Sequence, residues 1–190
     1  SLNAEEKRPF CGSSARGMVL FVLAFLGSGA AVQAAPTLSA LSGSVFVLRP
    51  GIQGWRPAGA GFVLETGDQV RTVARGNATI TFDDGARVNL GANGSFTVQE
   101  ATAGGTSLRL SMGALRAWVN KALSRRFEVR TPTAVCSVRG TEFSVDVNAQ
   151  GHTNIQMFSG ILAVADQRGN ETVIRDREGL RVTEQGISAA

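Results

Sequence analysis

The chain has 190 residues, 43% of them hydrophobic and 18% charged, with 23 Gly, 2 Cys, 1 His, no Tyr and a formal net charge of +4. So much apolar residue with so little net charge excludes a disordered chain. Two thiols and one imidazole exclude a disulfide framework and the usual zinc sites.

Residues 1–34 read as a secretory signal peptide. Lys7, Arg8 and Arg16 precede an apolar run from Met18 to Leu26, which gives way to small residues through Ala34. Val32 and Ala34 are the small side chains expected before a cleavage site, leaving Ala35-Pro36 as the new start. The other reading is an uncleaved anchor, but Met18–Ala35 contains Gly27, Ser28, Gly29 and Gln33 and barely reaches the ~20 apolar residues a bilayer needs. Either way the remaining chain is expected outside the cytoplasm, periplasmic or secreted. Contact with the membrane is then expected only through the signal segment, if it is uncleaved.

From Leu38 onward the period is two. Val45-x-Val47, Ala78-x-Ile80-x-Phe82, Val88-x-Leu90, Phe96-x-Val98, Leu108-x-Leu110 and Leu115-x-Ala117-x-Val119 alternate apolar with other residues. Phe127-x-Val129, Phe143-x-Val145-x-Val147, Ile155-x-Met157 and Leu180-x-Val182 continue the series. Such alternation sends one side of each strand to a core and the other to water. Turn residues punctuate the joins, and Asp84-Gly85 is the clearest hairpin signal because both residues tolerate positive φ. Trp118–Arg126 has only weak helical character and is expected to be a loop or a single turn. Residues 38–185 therefore read as one all-β domain. Glycines beside the alternations, among them Gly113, Gly140 and Gly160, suit corners of a β-roll or a twisted β-solenoid-like stack, with a β-sandwich as the alternative.

Chemistry-bearing patterns are sparse. Cys136 lies in a small apolar alternation and is expected to be a buried hydrophobe. His152 sits in a turn-like Gln150-Gly151-His152-Thr153. Glu128, Glu142 and Asp146 fall on the outward phase of their strands and are expected to be solvated. Asp83-Asp84 lacks the six or more ligands that calcium takes. Basic residues are scattered, the densest group being Lys121, Arg125, Arg126 and Arg130, so nucleic acid is not an expected partner. No Gly-x-Ser-x-Gly, phosphate loop or His-Glu-x-x-His occurs, and neither an enzyme nor a cofactor is expected.

Three segments carry a family resemblance. They are Leu64-x-x-Gly67-Asp68-x-Val70-Arg71-Thr72, then Ala78-x-Ile80-x-Phe82-x-Asp84-Gly85-x-x-Val88-x-Leu90, and above all Phe127-x-Val129-x-Thr131-Pro132-x-Ala134-x-x-x-Val138-Arg139-Gly140-Thr141-x-Phe143-x-Val145. With Gly160–Val164 and Glu178-Gly179-Leu180, the stretch from Leu41 to Val182 resembles the FecR-like domain family. The resemblance implies an extracytoplasmic all-β domain. The name-giving members pass a signal from an outer-membrane receptor to a cytoplasmic sigma factor during iron–siderophore uptake. Only about 17 residues precede the apolar run here, and the chain ends soon after the β-domain, so the bare domain is what is expected to carry over.

The signature residues have two readings. Arg139 beside Gly140 and Thr141, and Asp68 with Arg71, are expected to act as polar staples at corners of the sheet. Alternatively Arg71 and Arg139 line a surface for a ferric chelate or an acidic glycan, with Trp55 and Trp118 as a platform. The expected function is a non-enzymatic binding or sensing module of the bacterial envelope, in iron uptake or envelope signalling, whose partner is another envelope protein engaged through a strand edge or a shallow face. Direct binding of a small ligand and a structural scaffold are the alternatives.

Overall fold

The alternating segments form strands in a computed structural model that describes residues 35–121 and 125–190. The expected signal peptide lies outside the described residues. Fourteen strands follow in order: β1 (Thr37–Ser42), β2 (Val45–Leu48), β3 (Arg56–Pro57), β4 (Gln69–Thr72), β5 (Asn77–Thr81), β6 (Arg87–Leu90) and β7 (Ser95–Thr102). Then come β8 (Gly105–Trp118), β9 (Arg126–Arg130), β10 (Ala134–Val147), β11 (Thr153–Asp166), β12 (Glu171–Arg175), β13 (Gly179–Thr183) and β14 (Gly186–Ala189). Among the described residues there is no helix, and so none long and apolar enough to cross a membrane. Trp118 closes β8 and Arg126 opens β9, while residues 122–124 of the weakly helical stretch lie outside the described residues. Asp84-Gly85 makes the expected turn between β5 and β6: Gly85 takes φ +81° and the Ala86 amide donates to Asp84 Oδ1 at 2.9 Å.

β8, β10 and β11 run 14 residues each, and each carries a glycine at positive φ inside it: Gly113 (+91°), Gly140 (+65°) and Gly160 (+108°). At these glycines the alternation changes parity. Leu108 and Leu110 are buried before Gly113, and Leu115 and Ala117 after it; Cys136 and Val138 are buried before Gly140, and Phe143 and Val145 after it. Ile155 and Met157, then Leu162 and Val164, do the same around Gly160. In an unbroken strand the second set would face solvent. An extra residue at a positive-φ glycine restores the inward phase and bends the strand, and the register shifts near Met112 and across Arg139/Glu142. Segments that read as separate strands are therefore single bent ones.

The bends fold the sheet over its own core. The first halves of β8 and β10 each pair with β9, parallel and antiparallel respectively, while their second halves pair directly with each other. β9 thus lies between the first halves of the two bent strands. Phe82, just after β5, meets Phe127 of β9 edge-to-face at 5.7 Å, and one continuous cluster of buried residues runs from Leu38 to Val182. The result is one mixed sheet in which every named strand pairing but β8–β9 is antiparallel. Parallel stacking of successive coils, as in a solenoid, does not occur among the described residues. Ile187–Ala189 also find a partner, because β14 pairs with β13.

Candidate functional site

Asp68 is wholly buried, and its carboxylate is held by the guanidinium of Arg49, which donates from Nε at 3.1 Å and Nη2 at 2.9 Å. The Glu65 amide adds a third bond at 2.9 Å. Gly67 (φ +95°) makes this turn against the Pro50 ring, where a Cβ would lie 2.6 Å from Pro50 Cγ. The hydrogen bond to Asp68 raises the Arg49 pKa above its ordinary value, opposed by partial burial. The staple at Asp68 is thus real in geometry, but its cation is Arg49, nineteen residues upstream.

Arg71 does something else. Its guanidinium lies 4.6 Å from the centroid of the Trp55 ring, so two of the candidate residues meet on the outer side of β4 and cover each other. Trp118 is covered in a similar way. Arg116 packs between Trp118 (5.2 Å) and Phe158 (4.4 Å) and bonds to Glu142 Oε1 from Nε at 3.1 Å and Nη2 at 2.5 Å. Trp118, Thr141 and Glu142, with Arg87, Lys121 and Ser159, line a shallow hollow of about 300 Å³. Thr141 is buried, its carbonyl accepts the Val119 amide at 2.9 Å, and its hydroxyl has no hydrogen-bond partner among the described residues. The structure therefore brings Trp55 to Arg71 and Trp118 to Thr141, as two separate groups.

Arg139 is exposed on β10 opposite Ile161 of β11, and it forms no ion pair among the described residues. Ile161 in turn faces Arg175 of β12, and the neighbouring row carries Ala163 beside Val173. Ile161 is 49% exposed and Val173 50%. β12 pairs with β11 alone among the described residues, so this apolar pair stands beside an open strand edge with cations at one end. Residue type alone would put Ile161 in the core. Only the change of phase at Gly160, which buries Leu162, shows that Ile161 points out.

Cys136 is buried, and burial, helped by Glu128, pushes its thiol up to about 12. Glu128, expected in solvent, is 5% exposed and receives the Arg130 Nε–H at 2.5 Å. Its strand phase does point outward, but Arg130 folds over it. No group of three or more metal-ligating side chains occurs among the described residues.

Residues 68–163 match the family model for FecR protein. The chain belongs to the FecR family. The match takes in Asp68, Arg71, Trp118, Arg139 and Thr141, and leaves Trp55 and β12 outside. Two crystal structures of a candidate anti-sigma factor from Parabacteroides distasonis ATCC 8503 share the fold, each at TM-score 0.56 and 20% identity. The alignment covers 64% of this chain and 58% of that one, so this chain spans under two thirds of its structural neighbour's length. No curated protein matches the chain. The FecR family and the shared architecture agree with the motif order read along Leu64–Val145.

Proposed function

We propose that this FecR domain is an exported, non-enzymatic binding module of the bacterial envelope that passes a signal by docking another envelope protein. The observation that carries this reading is the pair Ile161 and Val173, half exposed on neighbouring strands beside the open edge of β12. Side chains of this size cost free energy when left in water, ~25 cal/mol per Å² of apolar surface. Clustered at an edge rimmed by Arg139 and Arg175, they suit an extended segment or flat face of a partner. Family membership supports a regulatory task, as does the likeness to a candidate anti-sigma factor. The basic, apolar and small-residue order of residues 1–34 supports export with cleavage after Ala34, to the periplasm or beyond. The bends at Gly113, Gly140 and Gly160 support a roll for this sheet, with a β-sandwich as the alternative.

The test is capture of envelope proteins by the purified domain and by Val173→Glu. We expect a partner that the wild type retains and the variant loses, with unchanged thermal stability. Equal capture by both would refute the surface. Direct ligand sensing has one observation in its favour, the Trp55–Arg71 stack. It predicts saturable binding of a ferric chelate or glycan fragment that is lost in Trp55→Ala.

A further inference from the structure

On the outer side of the sheet, Arg109 of β8 lies directly opposite Arg130 of β9 in the parallel pairing of these strands. Neighbouring strands are ~4.8 Å apart, and like charges set opposite each other on one sheet face oppose folding. Both residues are exposed, and both line a hollow of about 220 Å³ beside the signature turn Thr131-Pro132-Thr133, with Gln99 and Asp166 on its rim. Nearby negative charge neutralises the pair only in part, through the Glu128–Arg130 ion pair at 2.5 Å. Glu128 engages only Arg130 Nε, leaving the Nη groups of Arg130 without a partner among the described residues. Asp166 is turned to its own loop: its carboxylate accepts from the Arg168 amide (2.9 Å), the Asn170 amide (2.9 Å) and Asn170 Nδ2 (2.8 Å). The Arg109 side chain has neither an ion pair nor a hydrogen bond among the described residues.

We infer that Arg109 and Arg130 form an oxyanion site, which takes a phosphoryl or carboxylate group between two guanidinium forks. The chemistry suits the geometry. A planar fork presents paired N–H donors, and an oxyanion with two or three oxygens accepts from two forks at once while cancelling their repulsion. Pro132 has no N–H to offer, and its carbonyl accepts the Gln167 side-chain amide, so this lip of the hollow does not present that oxygen to an anion. The Gln99 amide on the facing strand is an additional donor. This site is distinct from the β11–β12 surface and does not depend on it.

The test is thermal unfolding and titration of the purified chain with sodium phosphate, with sodium chloride at matched ionic strength, and with a Glu-Glu-Glu peptide. The wild type is expected to be stabilised by phosphate, by the peptide, or by both, beyond the chloride control. A response to phosphate alone assigns the phosphoryl group, and one to the peptide alone assigns a protein carboxylate. Arg109→Gln should weaken that binding at least about tenfold. It should also melt no lower than wild type in chloride, because the opposed charge is gone. Arg126→Gln, whose side chain pairs with Glu100 instead, should keep the response. No response beyond chloride, an unchanged response in Arg109→Gln, or its loss in Arg126→Gln would overturn the proposal.

Discussion

Replacing Gly113 by Ala tests whether the bends hold the fold together. An added Cβ would lie 2.6 Å from Gly94 Cα and 3.1 Å from Gly94 N, at a φ of +91°. The backbone strain is worth about 1–3 kcal/mol for a side-chain-bearing residue. Crowding adds about 1–3 kcal/mol, and here it falls on main chain, which cannot swing away as a long side chain can. The sum, about 2–6 kcal/mol, is large beside a typical domain stability of ~5–15 kcal/mol. At ~2–4 °C per kcal/mol for a domain of this size, a mid-range value of about 4 kcal/mol lowers Tm by ~8–16 °C. Gly85→Ala is the control, because Gly85 has φ +81° but nothing within 4 Å of its added Cβ, so only the backbone part applies. Calorimetry and denaturant unfolding of both variants measure the difference. If Gly113→Ala is no less stable than Gly85→Ala, the bend is not crowded against the β6–β7 loop and the reasoning fails.

Further predictions rest on single groups. Cys136 should resist thiol reagents at pH 8 in the native protein and react fully once denatured, because burial holds its pKa at about 12. Rapid native labelling, followed by mass spectrometry, would contradict its burial. The same shift has a sign: the folded state keeps the thiol protonated, so this contribution to stability is present below the unfolded thiol pKa of ~8.5 and is lost as pH rises toward about 12. Asp166 behaves oppositely. Hydrogen bonds from Asn170 and Arg168 hold its carboxyl below the ordinary carboxylate range, so it stabilises the fold above pH ~3.9 and loses this as pH falls through its lower folded pKa. Tm measured between pH 2 and 6 should therefore fall less steeply in Asp166→Asn than in the wild type.

Much of the fold can be read from residues alone, because burial at every second position leaves a direct mark. Phe127, Val129, Phe143 and Val145 are buried as their phase demands. What period two cannot show is the joining of segments across a glycine. Leu108-x-Leu110 and Leu115-x-Ala117 look like two strands until Gly113 is seen to shift the phase within one. Long-range partners are equally hidden. Nothing near Asp68 points to Arg49, since β2 and β4 meet only through their pairing. Arg109 and Arg130 become opposed only because β9 runs parallel to the first half of β8. The outward Ile161 and Val173 are the same case. Their residue types say core, and only the bend at Gly160 and the open edge of β12 say surface.

The most direct measurement is site-specific photo-crosslinking in living cells, with the probe placed at Val173 and, as a control, at Gln150 in the β10–β11 turn. The account predicts a discrete protein adduct at position 173 that is absent at 150 and disappears when Ile161→Glu is added. Adducts of equal yield at both positions, or none at 173 in cells that export the protein, would contradict it.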